Sequence, residues 1–313
     1  MDNVESSMLK ETQGSFTTVA ATLRDSLSHD VDHRRTISAD VDILLPPLIV
    51  LWFQLGIGHV NEGCALPNPA LLKQHIPIAT DQWEETRPGF LEADTVAHCG
   101  TSMEGMFVFT VNCIDLATGW REQRAVWGKG ERGVLEALKD IEQKLPFPIL
   151  GFDCDNGSEF LNWHIHKYFT NRKNPVKYTR SRPYHKNDNA HVEEKNWTIV
   201  RQYIGYQRLA KPQLAQQLNE FYSSDWRLFM NFFVPSTKLI DKHRNGSLIV
   251  KKYDLPKTPF QRLKESPHSP EETKEELQKL FLTLSPFDLQ RHVQKGINNI
   301  LDQAEPLPRY ILK

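Results

Sequence analysis

The chain has 313 residues, of which 39% are hydrophobic and 25% are charged, a composition typical of a soluble globular protein with one substantial core. Its formal net charge of −1 excludes an argument for nucleic-acid binding from overall charge. The charge is unevenly distributed, however: residues 1–40 hold four Lys/Arg and seven Asp/Glu, residues 167–211 hold eleven and three, and residues 238–264 hold eight and two.

Cysteine spacing and hydropathy exclude several further classes. The four cysteines include no C-x-x-C pair, so neither a zinc ribbon nor a disulfide framework is expected, and a reducing cytoplasm is the simplest compartment. The longest apolar run, residues 43–53, is too short for a membrane helix and contains Pro46 and Pro47. No basic segment followed by an apolar stretch and a cleavage site marks a secretion signal.

Strand and helix patterns alternate from about residue 85. Period-two and apolar segments predict strands at residues 90–96, 106–114, 120–127, 149–152 and 176–179, with a turn at 115–119. Helical spacing predicts helices at residues 131–145, 158–169, 190–203 and 211–230, and one or two amphipathic helices within 271–303. A short β segment is predicted at 247–253. This order predicts an α/β fold with a mixed sheet.

Three acidic residues occupy distinctive positions in this pattern. Asp94 lies in the middle of the first strand, on the face opposite its neighbours. Asp155 follows the fourth strand, just before Asn156 and Gly157 turn the chain, and Glu193 lies one turn into its predicted helix. The separations are 61 and 38 residues. Converging carboxylates are what phosphoryl transfer on DNA with hard divalent cations requires.

The phrases around these acids resemble a known family. The order of a strand Asp, then Asp-Asn-Gly-Ser-Glu-Phe at 155–160, then Asp-Asn-x-x-Val-Glu-x-Lys-Asn at 188–196 resembles the catalytic core of DDE transposases and retroviral integrases. The match is best to bacterial insertion-sequence transposases with an integrase-type core. Further matching phrases are residues 87–94, 97–100, 182–189 and 192–197, and the resemblance covers about residues 70–290.

This resemblance implies a ribonuclease-H-like fold, with a mixed five-stranded sheet flanked by helices. It implies metal-dependent DNA strand cleavage and strand transfer during transposition and integration, with two Mg²⁺ or Mn²⁺ ions held by Asp94, Asp155 and Glu193. The implied partners are double-stranded element ends and target DNA, bound by a homo-oligomer in the bacterial cytoplasm at the nucleoid, without a membrane. The implied division is an N-terminal region (1–80), an integrase-type core (81–235), and a basic C-terminal segment with amphipathic helices (236–313).

Other polar residues lie close to the three acids in the sequence. Two of them are alternatives to Asp155 and Glu193 as metal ligands, and others are expected to support the site. Asp153 shares a face with Asp155, and Glu194 follows Glu193 directly. The supporting residues are expected to be His98, Asn156 and Asn189. His98 either orients a water or phosphate near Asp94 or makes a structural hydrogen bond. Glu159 is expected to shape the site rather than bind metal.

Basic residues close to the acids predict a DNA path. They flank the loop and helix that carry Glu193, where the phosphates of a bound end would run. The predicted DNA-binding residues are Lys177, Arg180, Arg182, His185, Lys186 and Lys195.

Two other functions stay open from the sequence. Residues 1–70 contain no convincing helix-turn-helix, and His29 and His33 have only Cys64 before the core as a possible zinc partner. The chain could therefore be a decayed or repurposed DNA-binding protein that keeps the core fold. A ribonuclease-H-type nuclease is the third reading, although such sites normally use four carboxylates.

Overall fold

Five strands form one mixed sheet in the order β3–β2–β1–β4–β5. The computed structural model describes residues 69–78, 86–181, 196–245 and 248–306. The strands are β1 (Phe90–Ala97), β2 (Val108–Asp115), β3 (Arg121–Trp127), β4 (Gly151–Cys154) and β5 (Lys177–Arg180). The pairs β1–β2 and β2–β3 are antiparallel, whereas β4 runs parallel to β1 and β5 parallel to β4. This is the ribonuclease-H-like fold, as the resemblance implied.

Helices cover both faces of the sheet. They are α1 (Pro69–His75), α2 (Glu131–Lys144), α3 (Trp163–Thr170), α4 (Gln202–Ile204), α5 (Pro212–Phe221), α6 (Arg227–Phe232), α7 (Pro259–Glu265), α8 (Glu271–Thr283) and α9 (Pro286–Leu301). Side chains of α2, α3 and α7 pack on the face that carries Ala93, and those of α5 and α9 pack on the face that carries Val96. Alternation along β1 therefore divides the protein into two hydrophobic clusters.

The turn between β2 and β3 is organised by Asp115. Its carboxylate accepts hydrogen bonds from the amides of Gly89 (2.7 Å) and Thr118 (2.8 Å). Gly119 has φ +73°, a left-handed conformation in which most other residues are strained. The predicted turn at 115–119 is confirmed, and the same carboxylate ties it to the start of β1.

The exposed edge of β3 is covered by two helix asparagines. Asn219 of α5 accepts from the amide of Ala125 (2.7 Å) and donates to its carbonyl (2.8 Å). Asn231 of α6 makes the same pair of bonds with the backbone of Arg121, both at 2.9 Å. Each side-chain amide thus replaces one residue of a missing neighbouring strand, which protects the edge from pairing with another chain.

Several predicted helices have different limits in the structure. The helix predicted at 158–169 begins only at Trp163, because the side chain of Asn162 accepts from the amide of Ile165 and caps it. The helix predicted at 211–230 is interrupted by a π-helical stretch, Tyr222–Trp226. A second π-helical stretch, Asn196–Arg201, leads into α4. The residues 271–303 form two helices, α8 and α9.

The C-terminal part contains elements that the pattern did not predict. The predicted β segment at 247–253 is the second strand of a hairpin formed by β6 (Leu239–Asn245) and β7 (Leu248–Tyr253), and α7 follows it. The dipeptide Asn245-Gly246 is a hairpin signal that could have indicated the first strand.

Contacts cross both predicted domain boundaries. Leu72 of α1 and Phe260 of α7 belong to the same buried cluster as β1 and β2. All described residues fall in one structural unit, Leu66–Lys313. The division at residues 80 and 235 stays a prediction. Within the part of the chain that the structure describes, no helix combines the length and apolar character needed to cross a bilayer.

Candidate active site

Asp94 and Asp155 follow a pair of residues that are neighbours in the sheet. Ala93 of β1 is in parallel register with Cys154 of β4, and the next residue on each strand is an aspartate. Adjacent strands lie about 4.8 Å apart, so the two aspartates begin from neighbouring backbone positions. Asp94 is half-buried and lies on the same face as Val96, opposite to the fully buried Ala93. The register brings together two of the three predicted acidic residues.

Both carboxylate oxygens of Asp94 accept hydrogen bonds. Oδ1 accepts from the amide of Thr95 (2.7 Å), and Oδ2 accepts from Nδ2 of Asn196 (2.6 Å). These two bonds orient the carboxylate group, whose oxygens are donors of the hard type that divalent cations such as Mg²⁺ take. Asn196 belongs to the phrase 192–197 that carries the family resemblance, and it is three residues after Glu193 in sequence.

A chain of buried side-chain amides extends from Asn196 through the sheet. Nδ2 of Asn112 donates to Oδ1 of Asn196 (2.8 Å), and Nε2 of Gln123 donates to Oδ1 of Asn112 (2.8 Å). Nε1 of Trp226 donates to Oε1 of Gln123 (2.9 Å). Asp94, Asn112 and Gln123 are also direct cross-strand partners on β1, β2 and β3. We call Asp94, Asn196, Asn112, Gln123 and Trp226 the polar chain. It fixes the Asp94 side chain by bonds that reach the opposite edge of the sheet.

Asp155 lies beside a second carboxylate that is already neutralised. Glu159 is 3% exposed, and its Oε1 accepts from Lys129 Nζ (2.6 Å) and Thr95 Oγ1 (3.2 Å). Burial raises the pKa of the Asp155 carboxyl, and the charge of Glu159 raises that pKa further, while the amide of Gly157 and the charge of Lys129 lower it. Burial is therefore the main reason why the Asp155 carboxyl binds its proton more tightly than usual.

Gly157 leaves no spare room between these carboxylates. Its amide donates to Asp155 Oδ1 (2.9 Å). A Cβ at this position would lie 2.5 Å from Glu159 Oε2 and 2.9 Å from Asp155 Oδ1. A larger residue at this position would therefore displace at least one of the two carboxylates.

The structure distinguishes Asp153 from Asp155. Asp153 is a buried residue of β4, and its Oδ1 accepts a hydrogen bond from Thr179 Oγ1 on β5. Asp155 is the residue that emerges into the loop after β4. The geometry favours Asp155 as the available ligand.

Arg180 and Asn156 support the loop that carries Asp155. Arg180 Nη1 donates to Asn156 Oδ1 (3.1 Å), and its Nε donates to the carbonyl of Ile76 after α1 (3.1 Å). Asn156 Nδ2 donates to the carbonyl of Ser181 (2.9 Å). Asn156 thus connects the loop to the end of β5, and its predicted supporting role stays a prediction. The Arg180 guanidinium, predicted to bind DNA, links α1 to the loop, and Lys177 is exposed on β5.

His98 is fully buried and hydrogen-bonded inside the protein. Its Nε2 lies 2.8 Å from Thr110 Oγ1, which lies 3.0 Å from the hydroxyl of Tyr222. Burial, together with a smaller effect of the nearby charge of Arg201, lowers the pKa of His98 to about 3. Two roles were predicted for His98, and a neutral, buried imidazole corresponds to the structural hydrogen bond.

The remaining predicted residues lie outside the described part of the chain. They are Glu193, its competitor Glu194, and Arg182, His185, Lys186, Asn189 and Lys195. Among the described residues, no group of three His, Cys, Asp or Glu side chains is arranged to hold a metal ion. Asp94 and Asp155 nevertheless supply hard oxygen donors, and each directly follows one residue of the register pair Ala93–Cys154. This donor chemistry fits Mg²⁺ or Mn²⁺.

Sequence reasoning missed most of the residues that position these carboxylates. No sequence motif pointed to Lys129, Asn112, Gln123 or Trp226. These residues come from four separate segments of the chain that only the fold brings together. Asn196 was visible within the matching phrase 192–197 but was not assigned a role.

Comparison with known proteins gives one curated relative. No family model matches the chain. The chain is 40% identical over 192 residues to the uncharacterized protein y4rM of Sinorhizobium fredii (strain NBRC 101917 / NGR234). The match covers 61% of this chain and 54% of that protein, so the chain spans about half of the length of this curated relative.

Solved structures with detectable similarity include retroviral integrases, each 14% identical in sequence. The simian T-cell lymphotropic virus intasome in complex with PP2A regulatory subunit B56 gamma gives a TM-score of 0.40, covering 63% of this chain and 59% of that chain. The HTLV-2 integrase catalytic core domain in complex with magnesium gives 0.33 (47% and 88%), and the catalytic core domain of BIV integrase gives 0.32 (55% and 91%). At this level of similarity they establish no activity for the present chain.

Proposed function

We propose that this chain is a DDE-type DNA transposase or integrase, which cleaves a DNA strand and joins the resulting 3′ end to another duplex. The observation that carries the proposal is the parallel register that places Asp94 and Asp155 side by side, with Asn196 bonded to Asp94. Glu193, the third acid of the sequence motif, precedes Asn196 by three residues in the sequence.

In this proposal Asp94, Asp155 and Glu193 hold two divalent cations. When bound, such ions polarise the scissile phosphate and activate the attacking oxygen, first of water and then of a 3′-hydroxyl. The protein's own contribution is to orient the carboxylates. Asn196 and the amide of Thr95 orient Asp94, and the amide of Gly157 orients Asp155.

Lys129 limits how many carboxylates compete for the cations. Its ammonium group is 2.6 Å from Glu159 Oε1, so that buried carboxylate is neutralised inside the protein. The negative charge left over belongs to Asp94 and Asp155, together with Glu193. In this proposal Glu159 shapes the site rather than binding metal.

Duplex DNA is the proposed substrate, bound by an oligomer of this chain at element ends and target. Lys177 is exposed at the start of β5, level with Gly151 at the start of β4, and in this proposal it contacts a phosphate away from the loop that carries Asp155. The other proposed contacts are Arg182, His185, Lys186 and Lys195.

The test is cleavage and joining of a labelled element-end duplex by the purified full chain, with Mg²⁺, Mn²⁺ or EDTA. A branched duplex with Mn²⁺ serves if the native end is unknown. We expect metal-dependent products that fall by about a hundredfold or more in Asp94→Asn, Asp155→Asn and Glu193→Gln, because each removes a cation ligand. The adjacent carboxylates provide the controls, Asp153→Asn and Glu194→Gln, which should retain products.

The result that overturns the proposal is near wild-type cleavage by Asp155→Asn, or cleavage that persists in EDTA. Tight DNA binding without products in any metal would instead support a repurposed DNA-binding protein.

A further inference from the structure

The hairpin of β6 and β7 forms an exposed two-stranded ribbon outside the main sheet. Its strands pair from Leu239 opposite Tyr253 to Asn245 opposite Leu248. Six residue pairs span about 20 Å. The described cations of the ribbon, which include Lys242, Lys251 and Lys252, are exposed. This basic ribbon has no part in the proposed active site.

The cations at the base of the ribbon have partners. Asp254 Oδ2 accepts from Arg262 Nη1 (2.5 Å), and Asp254 Oδ1 accepts from the amide of Lys238 (2.5 Å). Lys257 is paired with Glu265 at 2.6 Å. Lys238 Nζ donates to the carbonyls of Leu116 and Ala117 in the β2–β3 turn. Each of these basic side chains is therefore bonded within the protein, and Lys238 attaches the base to the β2–β3 turn.

The outer cations of the ribbon are arranged differently. Lys242 and Lys251 are direct cross-strand partners, so two like charges share one face. Among the residues that the structure describes, no carboxylate forms an ion pair with either lysine or with Lys252. Asp241 is opposite Lys252 on the other face, where it also accepts from His243 Nδ1 at 3.0 Å. The Lys242–Lys251 face thus carries repulsion that an anionic partner would relieve.

We propose that the Lys242–Lys251 face of the ribbon binds the sugar-phosphate backbone of duplex DNA. This inference rests on the proposed function, since it names a second contact with the same substrate. A two-stranded ribbon matches the width of a DNA groove, and duplex DNA presents one negative charge about every 1.7 Å along its axis. Exposed Ile249 and Tyr253 beside the lysines add apolar surface that can cover sugars.

The position of the ribbon predicts which step depends on it. Its base contacts Leu116, whose amide donates to the carbonyl of Phe90 at the first residue of β1. Asp94 and Asp155 lie further along β1 and after the end of β4. The ribbon therefore contacts DNA away from the reacting phosphate, and it contributes affinity rather than the rate of the bound complex.

The experiment compares Lys251→Gln with Lys252→Gln, two adjacent lysines on opposite faces. DNA affinity is measured by fluorescence anisotropy with a labelled duplex over a series of salt concentrations. Counterion release predicts about a tenfold loss of affinity near 0.1 M salt for Lys251→Gln, and a salt slope reduced by about one. Lys252→Gln should bind like the wild type.

A double variant gives the second comparison. For Lys242→Gln/Lys251→Gln, the slope of log affinity against log salt concentration should decrease in magnitude by about two. The control is Lys279→Gln/Lys295→Gln, which removes two exposed helix lysines and should leave this slope unchanged. Equal effects of Lys251→Gln and Lys252→Gln, or an unchanged slope in the ribbon double variant, would overturn the inference.

Cleavage assays separate this inference from the proposed function. At saturating DNA the ribbon double variant should cleave at the wild-type rate, and only the DNA concentration for half-maximal rate should rise. A lower saturated rate contradicts the inference. If the wild type cleaves nothing but its binding depends on Lys251 and not on Lys252, the inference stands and the proposed activity fails.

Discussion

Asn196 Nδ2 donates a 2.6 Å hydrogen bond to Asp94 Oδ2, joining two residues 102 positions apart in sequence. Asn196 in turn accepts from Asn112, whose Oδ1 accepts from Gln123. Asn196 is therefore bonded both to the strand that carries Asp94 and to the neighbouring strand β2. We regard Asn196 as a positioning residue that acts through Asp94.

Replacement of Asn196 should reduce turnover more than binding. Asn196→Ala removes the donor that orients Asp94, and a displacement of about 1 Å at a reacting centre can cost about a hundredfold in rate. We expect the cleavage rate at saturating DNA to fall about ten- to a hundredfold, with DNA affinity changed less than about threefold. Asn299→Ala, on the exposed side of α9, is the control and should retain the rate. Equal losses of rate and affinity would contradict a positioning role.

Gly157→Ala tests the close approach of Asp155 and Glu159. The added Cβ would lie 2.5 Å from Glu159 Oε2, so at least one carboxylate must move. We expect about a tenfold or larger loss of cleavage rate, with a normal circular dichroism spectrum. The control is Gly130→Ala at the start of α2, where an added Cβ meets nothing within 4 Å and φ is −69°. Full activity of Gly157→Ala would show that the carboxylate spacing is not critical.

Lys129→Met tests the neutralisation of Glu159. The substitution keeps most of the side-chain volume but leaves a carboxylate that is 3% exposed without a cation. Because Lys129 is itself partly exposed, we expect a loss of about 1–3 kcal/mol in the free energy of unfolding, measured by urea denaturation. Lys139→Met, which breaks the surface pair with Glu136, should change it by less than about 0.5 kcal/mol. Equal effects in the two variants would remove the special role of Lys129.

His98 makes the stability of the fold depend on pH. Its pKa is lowered by burial to about 3 in the folded protein, against about 6.5 in the unfolded chain. Below pH 6.5 the unfolded chain binds a proton that the folded protein does not, so stability falls as pH drops from about 6.5 toward 3. The slope contributed by this one group is up to about 1.4 kcal/mol per pH unit.

The measurement is the free energy of unfolding between about pH 4.5 and 7. His98→Gln should lose this component of the slope, whatever its offset at neutral pH, whereas the exposed His268→Gln should keep the wild-type slope. Parallel curves for the wild type and His98→Gln would show that His98 takes up its proton in the folded state.

Most of the central sheet could be predicted from local pattern. The strands predicted at 90–96 and 120–127 differ from β1 and β3 by one residue at one end. The prediction was accurate because the alternation of apolar and polar side chains and the Asp-to-Gly turn at 115–119 depend only on local backbone geometry. The helix predicted at 211–230 was less accurate. The π-helical interruption ends at Trp226, which donates a hydrogen bond to Gln123 on β3. Helical periodicity in the sequence does not predict such a contact between distant segments.

By itself, the sequence determined the strand and helix order, the acidic motif of Asp94, Asp155 and Glu193, and the basic character of the C-terminal segment. These features depend on local spacing, because side-chain alternation and helical periodicity can be recognised in the sequence itself. Only the tertiary structure decided that Ala93 pairs with Cys154, that Lys129 neutralises Glu159, and that Asp94 is held by the polar chain. Strand register and buried hydrogen-bond partners join distant segments, and they are selected by the packing of the whole fold rather than by any local run of residues.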